Sequence, residues 1–376
     1  MNLKSMLVST AVVVVLASPI WVSHLVWRTW PRLQLNLLVV DYSVPTDSYW
    51  NHKGLFWLLN HLRIGPKQQD GLWRLERDYV GFDPVGEGKG TRLCDASLDS
   101  YEWLYLADTY GVHVRDRKPG PNTVVTNGFI FGGLSKADAD ALADFSKHGS
   151  IVSEFNSLSD PTPKEVRRTV ADIMGIERRG WVGRFITDFQ KVPEEYPWFT
   201  ALYNTQYKDE PLPTGAGMML ISETGALIVL SGAVFEKSMP TLLLTPRGKE
   251  WMGIPIGTPP YYGWFGVITA KPGTDVLAEI EMPTPDDWER RFRAKGVPKR
   301  FPLMTRKTAD NRQQIYISAN ISVVDETPTF RGLAYLPKLL AVIHRRRDSQ
   351  DHGPAYWQFF VPVVGRLLTD AAEQER

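Results

Sequence analysis

Three acidic residues directly follow apolar runs that are typical of buried strands, and these residues are the best placed to do chemistry. Asp41 ends LQLNLLVVD, Asp108 ends YEWLYLAD and Glu154 ends SIVSE. The carboxyl ends of parallel strands meet at one edge of an open sheet, so we expect the three side chains to line one crevice. Crowded carboxylates shift one another's pKa, which suits general acid/base catalysis. We therefore predict four catalytic residues, Asp41, His52, Asp108 and Glu154.

Polar side chains near these acids could bind a ligand. The hydroxyl and amide groups expected at the same sheet edge belong to Tyr42, Ser43, Tyr49, Tyr110 and Asn156. Together with the carboxylates they could bind a polyol. The competing interpretation is that Asp41 and Asp108 cap helices or fix loops at strand ends, while His52 only begins a helix.

A second candidate ligand site lies in RRGWVGRF, residues 178–185, where arginines surround a tryptophan. Arginine binds carboxylate or phosphate through two parallel hydrogen bonds, and a neighbouring indole can stack against a sugar ring. Trp181 and Arg184 are the residues that we predict to bind a ligand here. A solvated basic turn with a buried tryptophan explains the same pattern.

Composition argues against several classes of function. The 376 residues include 43 Lys and Arg against 42 Asp and Glu, so no overall positive charge would attract a nucleic acid. The seven histidines show neither HxH nor HExxH spacing, and Cys94 is the only cysteine. We therefore expect no metal site and no cofactor.

Strands and helices alternate along the first half of the chain in the order of a doubly wound fold. The apolar run at residues 33–42 is followed by GLFWLLNHLRI, whose apolar residues recur at helical spacing. LSKADADALADFSKHG places Ser135 and Asp138 at the spacing of a capping box, and a strand and a further helix at about 164–174 follow it. The pattern predicts an α/β fold with a mostly parallel sheet.

Short β-like runs replace this alternation in the second half of the chain. We assign residues 33–194 to the α/β domain, 195–310 to a β-rich insertion or subdomain, and 311–376 to a return strand and C-terminal helices. QIYISANISV is the predicted return strand. YWQFFVPVVGRLL is too short to span a membrane and is predicted to be a helix that docks on the body.

The first 32 residues are predicted to be a membrane anchor. Residues 6–27 carry no formal charge, and as one helix they would extend about 33 Å, enough to cross the hydrocarbon core. Trp21 and Trp27 are typical of interfacial aromatics, and Arg28 and Arg32 follow the apolar stretch. A cleaved signal peptide is the alternative. The anchor predicts a single-pass protein of a bacterial-type inner (plasma) membrane, with its body outside the cytoplasm.

Three segments between residues 35 and 175 carry a family pattern: LNLLVVDYSVP, YEWLYLADTYGV and GGLSKADADALADFSKHGSIVSEFNS. Together they resemble the class I glutamine amidotransferase-like (flavodoxin-like) fold in branches that are not amidotransferases, such as ThuA-type and β-galactosidase trimerisation domains. The resemblance implies the fold and argues against glutaminase chemistry, which needs a cysteine at a sharp strand-to-helix turn. Cys94 lies instead in the polar stretch GTRLCDASLDS.

Two functions follow from these observations. The first is a membrane-anchored accessory or binding protein of the cell envelope, with a carbohydrate or an envelope protein as partner and a role in polysaccharide synthesis or export. The second is a carboxylate-dependent hydrolase that acts on a glycan or another envelope substrate. Carboxyl groups about 5 to 10 Å apart in an open cleft would favour the hydrolase.

Overall fold

An eight-stranded mixed sheet forms the centre of the molecule. The computed structural model describes residues 18–67, 71–85, 89–116, 128–208, 210–283, 286–345 and 352–375. Within these ranges the strands of the main sheet lie side by side in the order β12 (Thr241–Leu244), β14 (Thr274–Glu281), β15 (Arg300–Ala309), β16 (Arg312–Ile317), β8 (Ser150–Glu154), β5 (Trp103–Asp108), β2 (Leu37–Asp41) and β4 (Val80–Gly81).

One half of this sheet is parallel and contains the strands that end in acids. β4, β2, β5, β8 and β16 pair in parallel, and every residue of β2, β5 and β8 is buried. Alternate residues join two separate cores, with Val39 and Tyr105 in one and Val40 and Leu104 in the other. The predicted α/β fold class is therefore confirmed, and β16 is the predicted return strand.

The other half of the sheet is antiparallel, and this corrects the prediction of a mostly parallel sheet. β15 pairs with β16, β14 with β15, and β12 with β14, all antiparallel. Asp310 and Asn311 join β15 to β16, and their φ angles of 49° and 67° suit the two-residue turn of a hairpin. Because so short a connection allows only an antiparallel neighbour, strand direction reverses here.

A four-stranded antiparallel sheet packs beside the main one. Its strands are, in order, β11 (Leu227–Ser231), β10 (Gly217–Ser222), β9 (Ile176–Ile186) and β13 (Phe265–Ala270). Leu220 and Phe265 share a core with Leu303 of the main sheet. The domain limits at 195 and 310 remain predictions, although β9 and β10 pair across the first and β15 and β16 across the second.

Helices cover both faces of the main sheet. One layer consists of α2 (Trp50–His61) and a C-terminal helical rod formed by α11 (Gly353–Ala355), a π turn (Tyr356–Phe360) and α12 (Val361–Gln374). The opposite layer consists of α3 (Lys136–Phe145) and α4 (Lys164–Met174). The C-terminal rod confirms the predicted docking helix. Ser135 and Asp138 form the predicted capping box at the start of α3.

The remaining elements lie at the periphery. They are the paired strands β1 (Leu33–Leu35) and β3 (Ile64–Pro66), the paired strands β6 (Val112–His113) and β7 (Phe129–Phe131), and the helices α5 (Val192–Glu195), α6 (Pro197–Tyr207), α7 (Ala233–Lys237), α8 (Pro246–Met252), α9 (Asp286–Ala294) and α10 (Leu336–Ile343).

A helix that includes residues 18–29, named α1, covers the second part of the predicted anchor. Residues 6–17 of that anchor lie outside the described part of the chain. Among the described residues, no helix combines the length and the apolar character that crossing a bilayer requires. α1 contacts the end of α2, because the Trp27 indole donates to the carbonyl oxygen of His61 at 2.7 Å.

Candidate functional site

Asp41 and His52 form a buried pair between β2 and α2. His52 Nδ1 lies 2.7 Å from Asp41 Oδ2, and its Nε2 lies 3.0 Å from the carbonyl oxygen of Leu75. That carbonyl can only accept, so Nε2 carries a hydrogen, and Nδ1 and Asp41 share one further proton. The pair joins the end of β2 to α2 and to the segment that contains Leu75.

Asp108 lies beside Asp41 in the sheet and accepts hydrogen bonds from three donors. The donors are the Ser43 hydroxyl at 2.5 Å, the Tyr110 backbone N–H at 2.7 Å and the Asn156 side-chain amide at 2.5 Å. Burial raises the pKa of Asp108 to about 6, with a further contribution from the charge of Asp41, and the three hydrogen bonds oppose this rise.

Glu154 lies at the end of β8 and contacts two hydroxyl groups. The Tyr105 hydroxyl donates to Oε1 at 2.6 Å, and the Ser322 hydroxyl donates to Oε2 at 2.7 Å. Burial raises the pKa of Glu154 to about 8, and the nearby charge of Asp108 acts in the same direction. Glu154 is therefore mainly neutral at pH 7, as expected for a carboxyl group that is buried away from water.

The four predicted catalytic residues are brought to one sheet edge, but their side chains are closed off from solvent. Asp41 and His52 are 0 % exposed, Glu154 is 1 % exposed and Asp108 is 3 % exposed. Their hydrogen bonds go to other parts of the same edge, including the loop that Ser43 ties to the backbone N–H of Gly111 at 2.6 Å. This arrangement fixes loops at strand ends, and a substrate would reach it only after those loops open.

The predicted ligand-binding residues beside the acids have different surroundings. Tyr42 is buried, and its hydroxyl donates to Asp138 at 3.3 Å and accepts from the Leu93 N–H at 2.6 Å. Tyr49 precedes α2 in the left-handed region at φ 46° and is largely buried. Tyr110 and Asn156 are half-buried, and both bind Asp108. Ligand binding by these residues remains a prediction.

Trp181 and Arg184 lie on β9, in the smaller sheet. The Trp181 indole donates to the carbonyl oxygen of Lys295 at 2.9 Å, and its ring packs against the larger core. Arg184 donates to the Tyr196 hydroxyl, and its guanidinium lies 5.7 Å from the centre of the Tyr196 ring. The segment is a strand and not the solvated basic turn of the alternative interpretation, and Trp181 is only partly buried. The roles of both residues in ligand binding remain predictions.

Sequence reasoning missed Tyr105 and Ser322, which complete the acid network. Tyr105 lies in β5, and its side chain is on the same face of the sheet as that of Glu154. Because side chains alternate between the two faces along a strand, the sequence of β5 could have identified Tyr105 as a neighbour of Glu154. Ser322 lies 168 positions from Glu154 along the chain, and no local pattern connects the two.

An open basic groove was also missed, although three of its residues, Arg178, Arg179 and Gly180, belong to RRGWVGRF. The groove has a volume of about 580 Å³ and lies between α4, the start of β9 and the turns at Glu223 and Lys271. Its cations are Lys164, Arg167, Arg168, Arg178, Arg179 and Lys271. In the sequence, Lys164, Arg167 and Arg168 recur at the spacing of one helix face, which is a usable signal.

The chain is weakly similar to proteins of known structure. No family model and no curated protein matches the chain. Among solved structures it is similar to a β-galactosidase from Bacillus circulans sp. alkalophilus, with 13% identity, a TM-score of 0.34 and 76% of this chain covered. A cytoplasmic protein from Salmonella typhimurium LT2 has 11% identity, a TM-score of 0.38 and coverage of 90% of this chain and 100% of its own.

A putative ThuA-like protein from Bacteroides uniformis is similar at 11% identity and a TM-score of 0.32, over 87% of this chain and 97% of its own. This chain spans only 28% of the β-galactosidase chain. The weak likeness includes both kinds of protein that residues 35–175 resemble. TM-scores this low carry no argument about what the chain does.

Proposed function

We propose that this chain is an accessory binding protein of the cell envelope, held at a membrane by α1 with the apolar sequence before it and by α10. The observation that carries this proposal is an apolar surface that α1 and α10 expose next to each other. The α/β body then serves to bind a partner and performs no turnover at its buried acids.

The exposed side chains of α1 and α10 are large and apolar. None of the residues of α10 is buried, and Leu339, Val342 and Ile343 are 57%, 55% and 57% exposed. In α1, Trp21 and Leu25 are 66% and 61% exposed. Single exposed apolar residues are common, whereas a contiguous set marks a contact surface for a protein or a membrane.

Hydrogen bonds hold α1 to the segment that leads directly into α10. The Ser23 carbonyl oxygen accepts from the Ala334 N–H at 3.1 Å, and the Ser23 hydroxyl accepts from the Tyr335 N–H at 3.1 Å. His24 Nδ1 lies 2.8 Å from the carbonyl oxygen of Gly332. Because α1 continues from the uncharged segment 6–17, this apolar surface extends the predicted anchor onto the body.

The charges around this surface suit an anionic bilayer. Residues 18–32 and 328–345 include no acid, and their cations are Arg28, Arg32, Arg331, Lys338 and Arg345. Each cation near an anionic membrane surface contributes about 1 kcal/mol of attraction. With eight residues α10 is too short to span, so we expect it to lie in the interface plane with its apolar side toward the acyl chains.

A fluorescent label on α10 tests this proposal in the full chain. After Cys94→Ser removes the only cysteine, Leu339→Cys carries the environment-sensitive dye NBD, and Ile254→Cys, at a site 59% exposed, is the matched control. We expect a blue shift at position 339 with vesicles of phosphatidylglycerol and phosphatidylethanolamine, and none at position 254. Emission from position 339 that stays typical of water would contradict the membrane contact of α10.

The second candidate is the carboxylate-dependent hydrolase, and the raised pKa values of Asp108 and Glu154 favour it. A carboxyl group with a pKa of about 8 is protonated at neutral pH, as a general acid must be. The closed environment of both groups opposes this function. Hydrolysis of an envelope glycan that is lost in both Asp108→Asn and Glu154→Gln, with the fold intact, would establish it in place of the binding role.

A further inference from the structure

The basic groove between α4 and β9 is open to solvent, lies apart from the acid network and has an excess of positive charge. Six cationic side chains and three carboxylates line it, which leaves three positive charges in excess. A volume of about 580 Å³ lies within the range of pockets that hold small ligands. The chain as a whole has a net charge of only +1, so this excess is a local feature.

One carboxylate in the groove shows what its arginines bind. Glu223 pairs with Arg178 and lies 3.9 Å from Arg167 Nη1. An oxyanion between two guanidinium groups is the geometry by which proteins bind carboxylate and phosphate groups of ligands. Glu223 therefore occupies, from within the chain, a position that suits an anionic group.

Arg167 provides an independent indication of a ligand. Its side chain is only 5% exposed and reaches Asp160 at 3.3 Å through Nη1. Its Nε is buried and has no acceptor among the described residues. A buried arginine N–H without an acceptor is costly, and an oxyanion bound in the groove would relieve that cost.

Two further cations at the groove are available to a ligand. Lys164 and Arg168 are exposed on α4, and no ion pair is formed by either among the described residues. Lys271 and Arg179 are already paired with Asp172 and Glu177. The free cations lie on the helix one turn apart, so one extended ligand can contact both.

We infer that this groove binds an oligosaccharide or a similar small chain that carries several carboxylate or phosphate groups. The inference deepens the proposed binding function and rests on it, because it names the chemistry of the partner. The charge excess excludes a neutral glycan as the preferred ligand. Binding should weaken with added salt, since several exposed cations contribute to it.

Isothermal titration of the full chain in detergent, with three probes, tests this inference. The probes are tetragalacturonate for carboxylates, tripolyphosphate for phosphates and maltotetraose as the neutral control. We expect one or both anionic probes to bind and maltotetraose not to bind. Binding of tetragalacturonate alone would identify carboxylates as the groups that the groove binds, and binding of tripolyphosphate alone would identify phosphates. Equal binding of maltotetraose, or no binding of either anion, would overturn the inference.

Variants on matched helix positions locate the binding. Lys164 and Lys136 are the first residues of α4 and α3, so K164A/R168A is compared with K136A. We expect the double variant to weaken binding about tenfold, since each lost exposed cation contributes roughly 0.7 kcal/mol. The K136A variant should bind as the parent does. A loss of about threefold in K136A, the share of one cation, would show that general charge, and no groove, causes the binding.

Replacement of Glu223 tests whether the position between the Arg167 and Arg178 guanidinium groups is available to an anionic ligand. E223Q frees Arg178 and removes a competing negative charge, so affinity for the anionic probe should rise several-fold. A fall in affinity would mean that Glu223 organises the arginines and that the oxyanion position is not available to a ligand. The NBD label at position 339 is read on the same protein in vesicles of phosphatidylglycerol and phosphatidylethanolamine, without the detergent of the titration, so a failed groove is distinguished from failed membrane contact.

Discussion

Replacement of Glu154 by glutamine should stabilise the protein at neutral pH. The native carboxyl group has a pKa of about 8, compared with an ordinary value of 4.5. Below pH 4.5 both the folded and the unfolded chain hold the proton, so pH has no effect. As pH rises toward 8, the unfolded chain releases the proton and the folded chain keeps it, and stability is lost. Glutamine is neutral throughout and avoids this loss.

The size of the effect follows from the shift in pKa. From pH 4.5 to pH 7 the difference is about 2.5 units, which corresponds to about 3 kcal/mol. Glutamine can keep both hydrogen bonds, because its oxygen accepts from one hydroxyl and its amide donates to the other. We therefore expect Glu154→Gln and the parent to be equally stable near pH 4.5, and the variant to be more stable by about 3 kcal/mol at pH 7.

Urea unfolding followed by tryptophan fluorescence at a series of pH values measures this difference. Glu210→Gln makes the same chemical change at an exposed site, and the free energy of unfolding of this variant should differ little from that of the parent at any pH. The comparison between variant and parent isolates one group, because all other titrations are shared. A gap that is constant with pH, or a variant that becomes relatively less stable as pH rises, would refute the reasoning.

Two further predictions concern the elements around the acid network. His52→Leu removes the partner of Asp41 Oδ2 and leaves the buried carboxyl group with the Ser43 backbone N–H at Oδ1, so we expect a loss of about 3 kcal/mol in urea unfolding, with exposed His148→Leu as control. An unchanged midpoint would argue against the pair. Gly54→Ala adds a methyl group that would meet the Ser322 carbonyl oxygen at 2.3 Å, so melting should occur at lower temperature despite the helix preference of alanine. A higher melting temperature would contradict this packing.

The strand-end acids could be predicted because local sequence determines them. β2 and β5 are continuous apolar runs, and each ends in an aspartate at the point where the chain leaves the sheet. Parallel pairing puts both acids at the same edge of the sheet, and a register shift between Val40 and Asp41 sets Asp41 directly opposite Asp108. The helix capped at Ser135 followed from spacing alone for the same reason.

The closure of the site could not be predicted, because it depends on contacts between distant segments. Ser43 contacts Asp108 and Gly111, which lie 65 and 68 positions further along the chain, and Ser322 reaches Glu154 from the segment that follows β16. The antiparallel half of the sheet depends on the turn at Asp310 and Asn311, whose importance is clear only once β16 is known to pair with β8. The basic groove is formed by α4, the start of β9 and the turns at Glu223 and Lys271. Only α4 and β9 have a sequence pattern of cations that indicates such a site.

The two faces of the main sheet are covered by different helical layers, and this separates the two proposed surfaces. α10 packs through Leu336 and Leu340 against the core that contains α2 and α12, whereas α4 belongs to the opposite core. A body attached through the first layer turns the second toward the aqueous phase. An anionic polymer could then bind the groove without approaching the anionic lipid head groups, which would repel it.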